Sequence, residues 1–128
     1  MKLLLDTHTF IWWDSEPQQL SARVRAQIED PANELVFSVA TVWEMQIKVQ
    51  LGKLKLKVAL PELLATQQQT NRLQILPIML AHVLELGKLP AHHKDPFDRL
   101  LIAQAVSESA TLVSHDPVFQ RYSVSLLW

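Results

Sequence analysis

The sequence predicts an α/β fold in which a small parallel β-sheet is flanked by helices. Short apolar runs of strand length recur along the chain, and stretches with helical spacing lie between them. Such alternation is typical of strand–helix–strand units, which build parallel sheets. The first run, Leu3, Leu4 and Leu5, is apolar at every position, as strands are when both faces of a sheet are covered.

Length and composition bound the class of protein. A chain of 128 residues, of which 48% are apolar and 20% charged, is expected to fold as one domain over residues 1–128. Two glycines provide no glycine-rich phosphate loop, and the absence of cysteine excludes thiolate catalysis and cysteine zinc sites. That absence fits a reducing compartment, so we expect a cytoplasmic protein. No apolar run approaches the roughly 20 residues that cross a bilayer, so we expect no membrane contact.

Five strands and six helices are predicted. The strands cover residues 3–5, 35–37, 73–76, 111–114 and 124–127. The helices cover residues 9–13, 21–29, 40–51, 62–70, 78–86 and 96–109. Lysine and leucine alternate over residues 53–57, which predicts either an extended arm or an exposed edge.

Capping residues and helix breakers set the bounds of these elements. Ser21 is a favourable N-cap for the second helix, and Gly52 is a favourable end for the third. Pro61 and Pro96 occupy first-turn positions, where a missing N–H costs nothing. Apolar residues surround the axis of the helix over residues 40–51, so we expect that helix to be largely buried.

Three carboxylates stand where acids are uncommon. Asp6 follows the first strand and Asp116 follows the fourth, so both fall at the carboxyl edge of the sheet, where ligands bind in open α/β folds. Each could instead cap a helix. Glu44 lies within a helix that is otherwise rich in apolar residues, and its structural alternative is an ion pair with Lys48, four residues on.

Two further acids open the last helix. Asp95 precedes Pro96 and has the position of an N-cap, so we interpret it as mainly structural. Asp98 heads an apolar stripe formed with Leu101 and Ile102, which places a carboxylate at the rim of the core. We therefore interpret Asp98 as functional, although an acid here could also serve the cap.

The four acids Asp6, Glu44, Asp98 and Asp116 are expected to converge at one edge of the sheet. Carboxylates held close together cannot all stay ionised without cations, because like charges raise each other's pKa. Hard divalent cations with oxygen ligands, Mg²⁺ or alternatively Mn²⁺, suit such a cluster. When these ions also hold a phosphodiester, they activate water for its hydrolysis.

Four stretches carry a resemblance to a known family, and together they cover most of the chain in the expected order. They are LLLDTHTFIWW, SVATVWEMQIKVQLGKLKL, HHKDPFDRLLIAQA and LVSHDPVFQRYSV. The chain resembles the PIN-domain ribonucleases, specifically the VapC-like toxins of type II toxin–antitoxin modules. The resemblance implies a PIN-like three-layer sandwich, Mg²⁺-dependent cleavage of an RNA such as tRNA or rRNA, a cognate antitoxin as partner, and a homodimer.

The resemblance also implies roles for individual residues. Asp6 and Asp98 would bind the main metal directly, and Asp116 would complete that shell, directly or through water. Glu44 would hold a second metal or orient the attacking water. All four would therefore be both catalytic residues and metal ligands.

Supporting roles follow for three neighbours of these acids. Thr7 and Ser114 would donate hydrogen bonds to the carboxylates or to the scissile phosphate. Asp95 belongs to the same stretch as Asp98, and whether it reaches the metal stays open.

Any contact with RNA must depend on local positive charge, because the net charge is only −1. Lys48, Lys53, Lys94 and Arg99 are the candidates for binding the RNA backbone. The structural alternative is a solvated basic face, and Arg99 could instead pair with a carboxylate of the antitoxin.

Histidines and tryptophans admit both structural and functional interpretations. The adjacent pair His92 and His93 suggests metal ligands, but neighbouring side chains point in different directions, so a polar loop is favoured. Tryptophans such as Trp12 and Trp128 can stack on bases. Their apolar neighbours favour a place in the core or in an interface instead.

Two competing functions are consistent with parts of this pattern. One is a PIN-like module that binds RNA or a partner without catalysis. The other is a Mg²⁺-dependent phosphatase, since an aspartate at a strand end also suits phosphoryl transfer. The complete set of four acids favours the ribonuclease.

Overall fold

The computed structural model describes residues 1–128, and a five-stranded sheet forms its centre. The strands are β1 (Lys2–Leu5), β2 (Glu34–Ser38), β3 (Gln74–Leu76), β4 (Thr111–Val113) and β5 (Leu126–Leu127). They lie in the order β3-β2-β1-β4-β5, and every neighbouring pair is parallel. The predicted parallel α/β fold is confirmed, with the all-leucine strand at its middle.

Six α-helices connect and cover the strands. They are α1 (Thr7–Ser15), α2 (Ala22–Glu29), α3 (Val39–Gln50), α4 (Leu60–Asn71), α5 (Leu80–Glu85) and α6 (Pro96–Ser107). Short 3₁₀ helices occupy Pro17–Gln19, Leu86–Lys88 and Pro117–Arg121. No helix is both long enough and apolar enough to span a membrane.

Hydrophobic cores lie on both faces of the sheet, because successive side chains of a strand point to opposite sides. Leu3 and Leu5 pack on one face with residues of α1, α2, α3 and α4. Leu4 packs on the other face with Ile102 of α6 and Phe119 of the last 3₁₀ helix. Helices, sheet and helices therefore form three layers, as predicted.

The strand order changes direction at β1, and this places the carboxyl ends of β1 and β4 side by side. The chain runs outward from β1 to β2 and β3, then returns to β4 on the other side of β1. Such a switch point leaves a crevice outside the strand ends, since the two following connections diverge. Asp6 and Ser114 are the first residues beyond these two strands.

The expectation that the third helix is largely buried was wrong. Only Ala40, Thr41 and Met45 of α3 are buried, and the Trp43 residue remains 57% exposed. The sheet covers one side of α3, whereas no element covers the opposite side. An apolar composition predicts which side chains can be buried, but a helix packed on one layer buries one face only.

The segment over residues 53–57 forms no strand. Its backbone N–H groups at Lys53 and Leu54 bond to the carbonyl of Lys48, which ends α3. Leu54 and Leu56 pack against the first core, and the intervening lysines are exposed. Of the two predicted alternatives, the alternating lysines and leucines therefore form an irregular arm that lies along the molecule.

Truncation of the central strand should destabilise the fold strongly. Leu4→Ala removes a side chain that is fully buried beneath α6, so we expect the free energy of unfolding to fall by about 2–5 kcal/mol. Urea denaturation followed by circular dichroism measures this change. Leu51→Ala, at a 63% exposed position, is the matched control, and equal losses in the two variants would contradict the assigned core.

Candidate active site

Asp6 joins the central strand to α1, and both of its carboxylate oxygens are engaged. The backbone N–H of Thr9 donates to Oδ1 at 2.9 Å, which caps α1. The hydroxyl of Ser114 donates to Oδ2 at 2.5 Å. Asp6 is only 7% exposed, so these bonds fix its orientation. Asp6 therefore caps α1, as one of the two alternatives predicts, and it also lines the crevice. Its role as a catalytic metal ligand stays a prediction.

Glu44 lies on the side of α3 that faces the crevice. The Thr7 hydroxyl donates to Glu44 Oε1 at 2.8 Å, and Lys48 Nζ lies 3.9 Å from Oε2. The predicted pair with Lys48 is therefore present. It is not the sole partner, because Thr7 links this carboxylate to the first turn of α1.

Asp98 carries the most strongly perturbed charge in the protein. The pKa of its carboxyl is raised from 3.8 to about 7, mainly by burial and then by repulsion from Asp95, Glu44, Asp116 and Asp6, in that order. A carboxyl group that is shielded from solvent and has no bound cation favours its neutral, protonated form. A shift of this kind in a cleft is characteristic of functional sites.

Asp95 and Asp116 both cap helices, as their position before proline predicts. Asp95 Oδ1 accepts hydrogen bonds from the backbone N–H groups of Phe97 and Asp98 at 2.9 and 3.1 Å. Asp116 Oδ1 accepts from Val118 at 3.0 Å. Each cap uses one oxygen, so both residues also add negative charge to the crevice.

Ser114 connects two of these acids. Its Oγ donates to Asp6 and accepts a 3.0 Å hydrogen bond from the backbone N–H of Asp116. The loop after β4 is thereby held against the end of β1.

A single cavity of about 160 Å³ collects the predicted acids. Those lining it are Asp6, Glu44, Asp95, Asp98 and Asp116. As the side chains stand, no three His, Asp or Glu residues are grouped so that they could hold a metal ion. The donor set nevertheless suits a hard divalent cation, because carboxylate oxygens dominate it and Asp98 carries uncompensated charge.

The predicted basic residues are not gathered in the same way. Lys48 lines the cavity, whereas Lys53 and Lys94 are exposed and do not line it. Arg99 donates to the carbonyl of Pro90 at 2.8 Å and to the Tyr122 hydroxyl at 3.2 Å. Its role toward RNA stays a prediction, and its guanidinium is already held by the protein.

His93, for which the sequence favours a polar loop, lies next to the acids of the cavity. Its Nε2 lies 3.5 Å from Asp98 Oδ2, and this buried nitrogen has no hydrogen-bond partner. Its Nδ1 is 2.6 Å from the Tyr122 hydroxyl. This contact could not be predicted from the local sequence, because it depends on how the loop that carries His93 folds back on α6.

Comparisons with known proteins agree with this architecture. The PIN-domain family profile matches residues 3–124. Ribonuclease VapC22 of Mycobacterium tuberculosis is 31% identical over 115 residues, which are 89% of this chain and 86% of that protein.

Solved structures share the fold over nearly the whole chain. The VapBC2 structure from Rickettsia felis, bound to a promoter DNA fragment, has a TM-score of 0.71 at 21% identity, covering 99% of this chain and 98% of that one. VapBC-1 from nontypeable Haemophilus influenzae has a TM-score of 0.69 at 24% identity, covering 99% and 97%. The chain therefore belongs to the PIN-domain family of nucleases, and within it to the VapC-like ribonucleases of toxin–antitoxin systems.

Proposed function

We propose that this protein is a Mg²⁺-dependent endoribonuclease, with Mn²⁺ as the alternative ion, and that one PIN domain over residues 1–128 carries the activity. The observation that best supports this proposal is that five carboxylates line one cavity at the switch point of the sheet. Burial of Asp98 and, after it, repulsion from the neighbouring acids raise the pKa of its carboxyl, and this unfavourable charge supports a bound cation. We place the activity in the cytoplasm, which the cysteine-free composition fits.

The metal would be held by the acids that line the cavity. Asp6 and Asp98 are the proposed direct ligands, Asp116 completes the shell, and Glu44 binds a second ion or orients water. A bound divalent cation would polarise the phosphodiester and make water a better nucleophile. Because no three side chains are yet grouped to hold an ion, binding requires side-chain rearrangement.

The chain's own residues prepare the site for this chemistry. The hydroxyls of Ser114 and Thr7 orient Asp6 and Glu44, which limits how far these two carboxylates must move. Asp98 exchanges its proton near neutral pH, so it becomes an anion when a cation arrives. Lys48 supplies positive charge at the rim of the cavity, where an RNA phosphate would approach.

We propose a cognate antitoxin as the protein partner, since the two solved relatives described above are VapBC structures. We also propose a homodimer. The exposed side of α5, formed by Met79, Leu80, Val83 and Leu84 and including the 73% exposed Leu80, supports burial against a second surface. A monomer by light scattering at micromolar concentration would contradict the dimer.

RNA cleavage should depend on a divalent cation and on the acid cluster. We expect the wild-type protein to cut RNA with Mg²⁺ or Mn²⁺, to stop with EDTA, and to leave a phosphomonoester intact. Asp98→Asn removes a proposed metal ligand and should lower cleavage by about a hundredfold or more. Cleavage is measured by gel separation of labelled RNA fragments.

The control variant for this measurement is Asp14→Asn, at an exposed acid of α1 outside the cavity. It should cut RNA at the wild-type rate. Full activity of folded Asp98→Asn would overturn the assignment, and phosphomonoester hydrolysis would select the phosphatase alternative.

Removal of the Asp98 charge should stabilise the protein while it abolishes activity. Since the folded-state pKa of about 7 exceeds the ordinary value of 3.8, the folded state binds more protons between these pH values. The free energy of unfolding therefore falls as pH rises through this window. Asparagine stays neutral, so we expect Asp98→Asn to be more stable than wild type by about 1–4 kcal/mol at pH 8 in EDTA.

Urea denaturation at pH 8 measures this difference. Adding Mg²⁺ should narrow it, because a bound cation balances the wild-type charge. Equal stability of the two proteins at pH 8 in EDTA would show that burial and the neighbouring carboxylates do not destabilise the Asp98 anion as the structure indicates.

A further inference from the structure

Four aromatic rings form a connected surface beside the acidic cavity, here named the aromatic shelf and comprising His8, Trp12, His115 and Trp128. The ring centroids of His8 and Trp12 lie 5.7 Å apart, and those of Trp12 and Trp128 lie 5.8 Å apart. His115 stacks on Trp128 at 4.9 Å with an interplanar angle of 18°. Residues from both ends of the chain thus meet at one point of the carboxyl edge.

The aromatic shelf borders an open cavity of about 630 Å³. His8, Asp6 and Asp116 line both this cavity and the smaller acidic one, so the two spaces adjoin at these three residues. Trp12 and His115 line the larger cavity as well. An RNA strand with one phosphate bound at the acids would therefore place an adjacent nucleotide over the aromatic shelf.

Trp12 differs from its neighbour Trp13 in what it contacts. Trp13 meets Phe10 edge-on in the first core, with ring centroids 6.2 Å apart. Trp12 also packs partly on that core, which holds it in place, but its ring lies among the two histidines and lines the open cavity. The sequence favours a core or interface position for the tryptophans, and Trp12 fits this only in part, because it also lines the open cavity.

The lining favours a nucleobase over an apolar peptide. Much of the surface exposed in the larger cavity is apolar, as the faces of aromatic rings are, but five of its seven lining side chains also carry a polar or charged group. A base needs one aromatic face for stacking and tolerates polar groups at its edge. Gln120 lines the same cavity, and its amide can both donate to and accept from a base edge.

We propose that the aromatic shelf stacks one unpaired nucleobase of single-stranded RNA next to the scissile phosphate, with Trp12 as the binding residue. This inference rests on the proposed ribonuclease function and adds a subsite to it. Recognition by stacking requires a base that is free of its helix, so the preferred substrate is a loop or a single strand.

The test uses abasic substitutions in a single-stranded RNA 12-mer that the wild-type protein cuts at one mapped bond. An abasic analogue replaces, in turn, each of the two nucleotides on either side of that bond. We expect kcat/KM of the wild-type protein to fall about fivefold to a hundredfold at one of these positions. Trp12→Leu should cut the intact RNA more slowly by a similar factor and show no further loss at that position.

Two other variants accompany this comparison. Trp12→Phe should retain the sensitivity of the wild-type protein, because phenylalanine also stacks. Trp13→Leu is the matched control on the same helix and should show the wild-type pattern of abasic losses. If Trp12→Leu fails to fold by circular dichroism, the exposed His115→Ala takes its place, with a smaller but position-specific loss of abasic sensitivity expected.

Several results would overturn the inference. An abasic loss of equal size in the wild type and in Trp12→Leu would assign the base to another surface. Wild-type kinetics in Trp12→Leu together with lost antitoxin binding would assign the aromatic shelf to the protein partner. An absence of RNA cleavage by the wild-type protein would contradict the proposed function itself, and that result is distinguishable because it does not depend on residue 12.

Discussion

The hydrogen bond from Ser114 to Asp6 is the contact on which the rest of the site depends. It crosses 108 positions of sequence and locks the ends of the two adjacent central strands. Asp6 also begins α1, and Ser114 also orients Asp116. One hydroxyl therefore links the first helix, the central strand and the loop after β4, which together form one wall of the acidic cavity.

Glu44 of α3 and Asp98 of α6 line the rest of the acidic cavity. The negative charge of Asp98 is unfavourable there, because the side chain is partly buried and lies near other acids. Two hydrophobic cores, one on each face of the sheet, hold these helices in place despite the repulsion. Local instability at a functional site offset by packing elsewhere is common in enzymes.

Features with a local cause were predictable from the sequence. The strand positions, the caps at Ser21 and Asp95, and the placement of Asp6 at the sheet edge each depend on residues within a few positions. The overall layer arrangement followed from the alternation of strands and helices. Asp6 and Asp116 could be grouped because parallel strands end on one side, whereas Glu44 and Asp98 were added because each is an acid among the apolar residues of a helix.

Features that depend on distant contacts were not predictable in the same way. The bond between Thr7 and Glu44 spans 37 positions, and the approach of His93 to Asp98 depends on the path of a loop. Apolar residues around α3 gave no sign of which face the sheet would leave open. The aromatic shelf joins residues from both ends of the chain, and only the tertiary fold shows that they meet.

Three of the acids both cap a helix and line the cavity, and this affects how such a protein can lose its activity during evolution. Asp6, Asp95 and Asp116 each begin a helix, so most substitutions there remove a helix start together with a charge. Asp98 caps nothing and is the most crowded anion. Under the proposed function, inactive descendants that still fold and can occupy a partner would therefore arise most readily by change at Asp98 or Glu44, the two acids of the cavity that cap no helix.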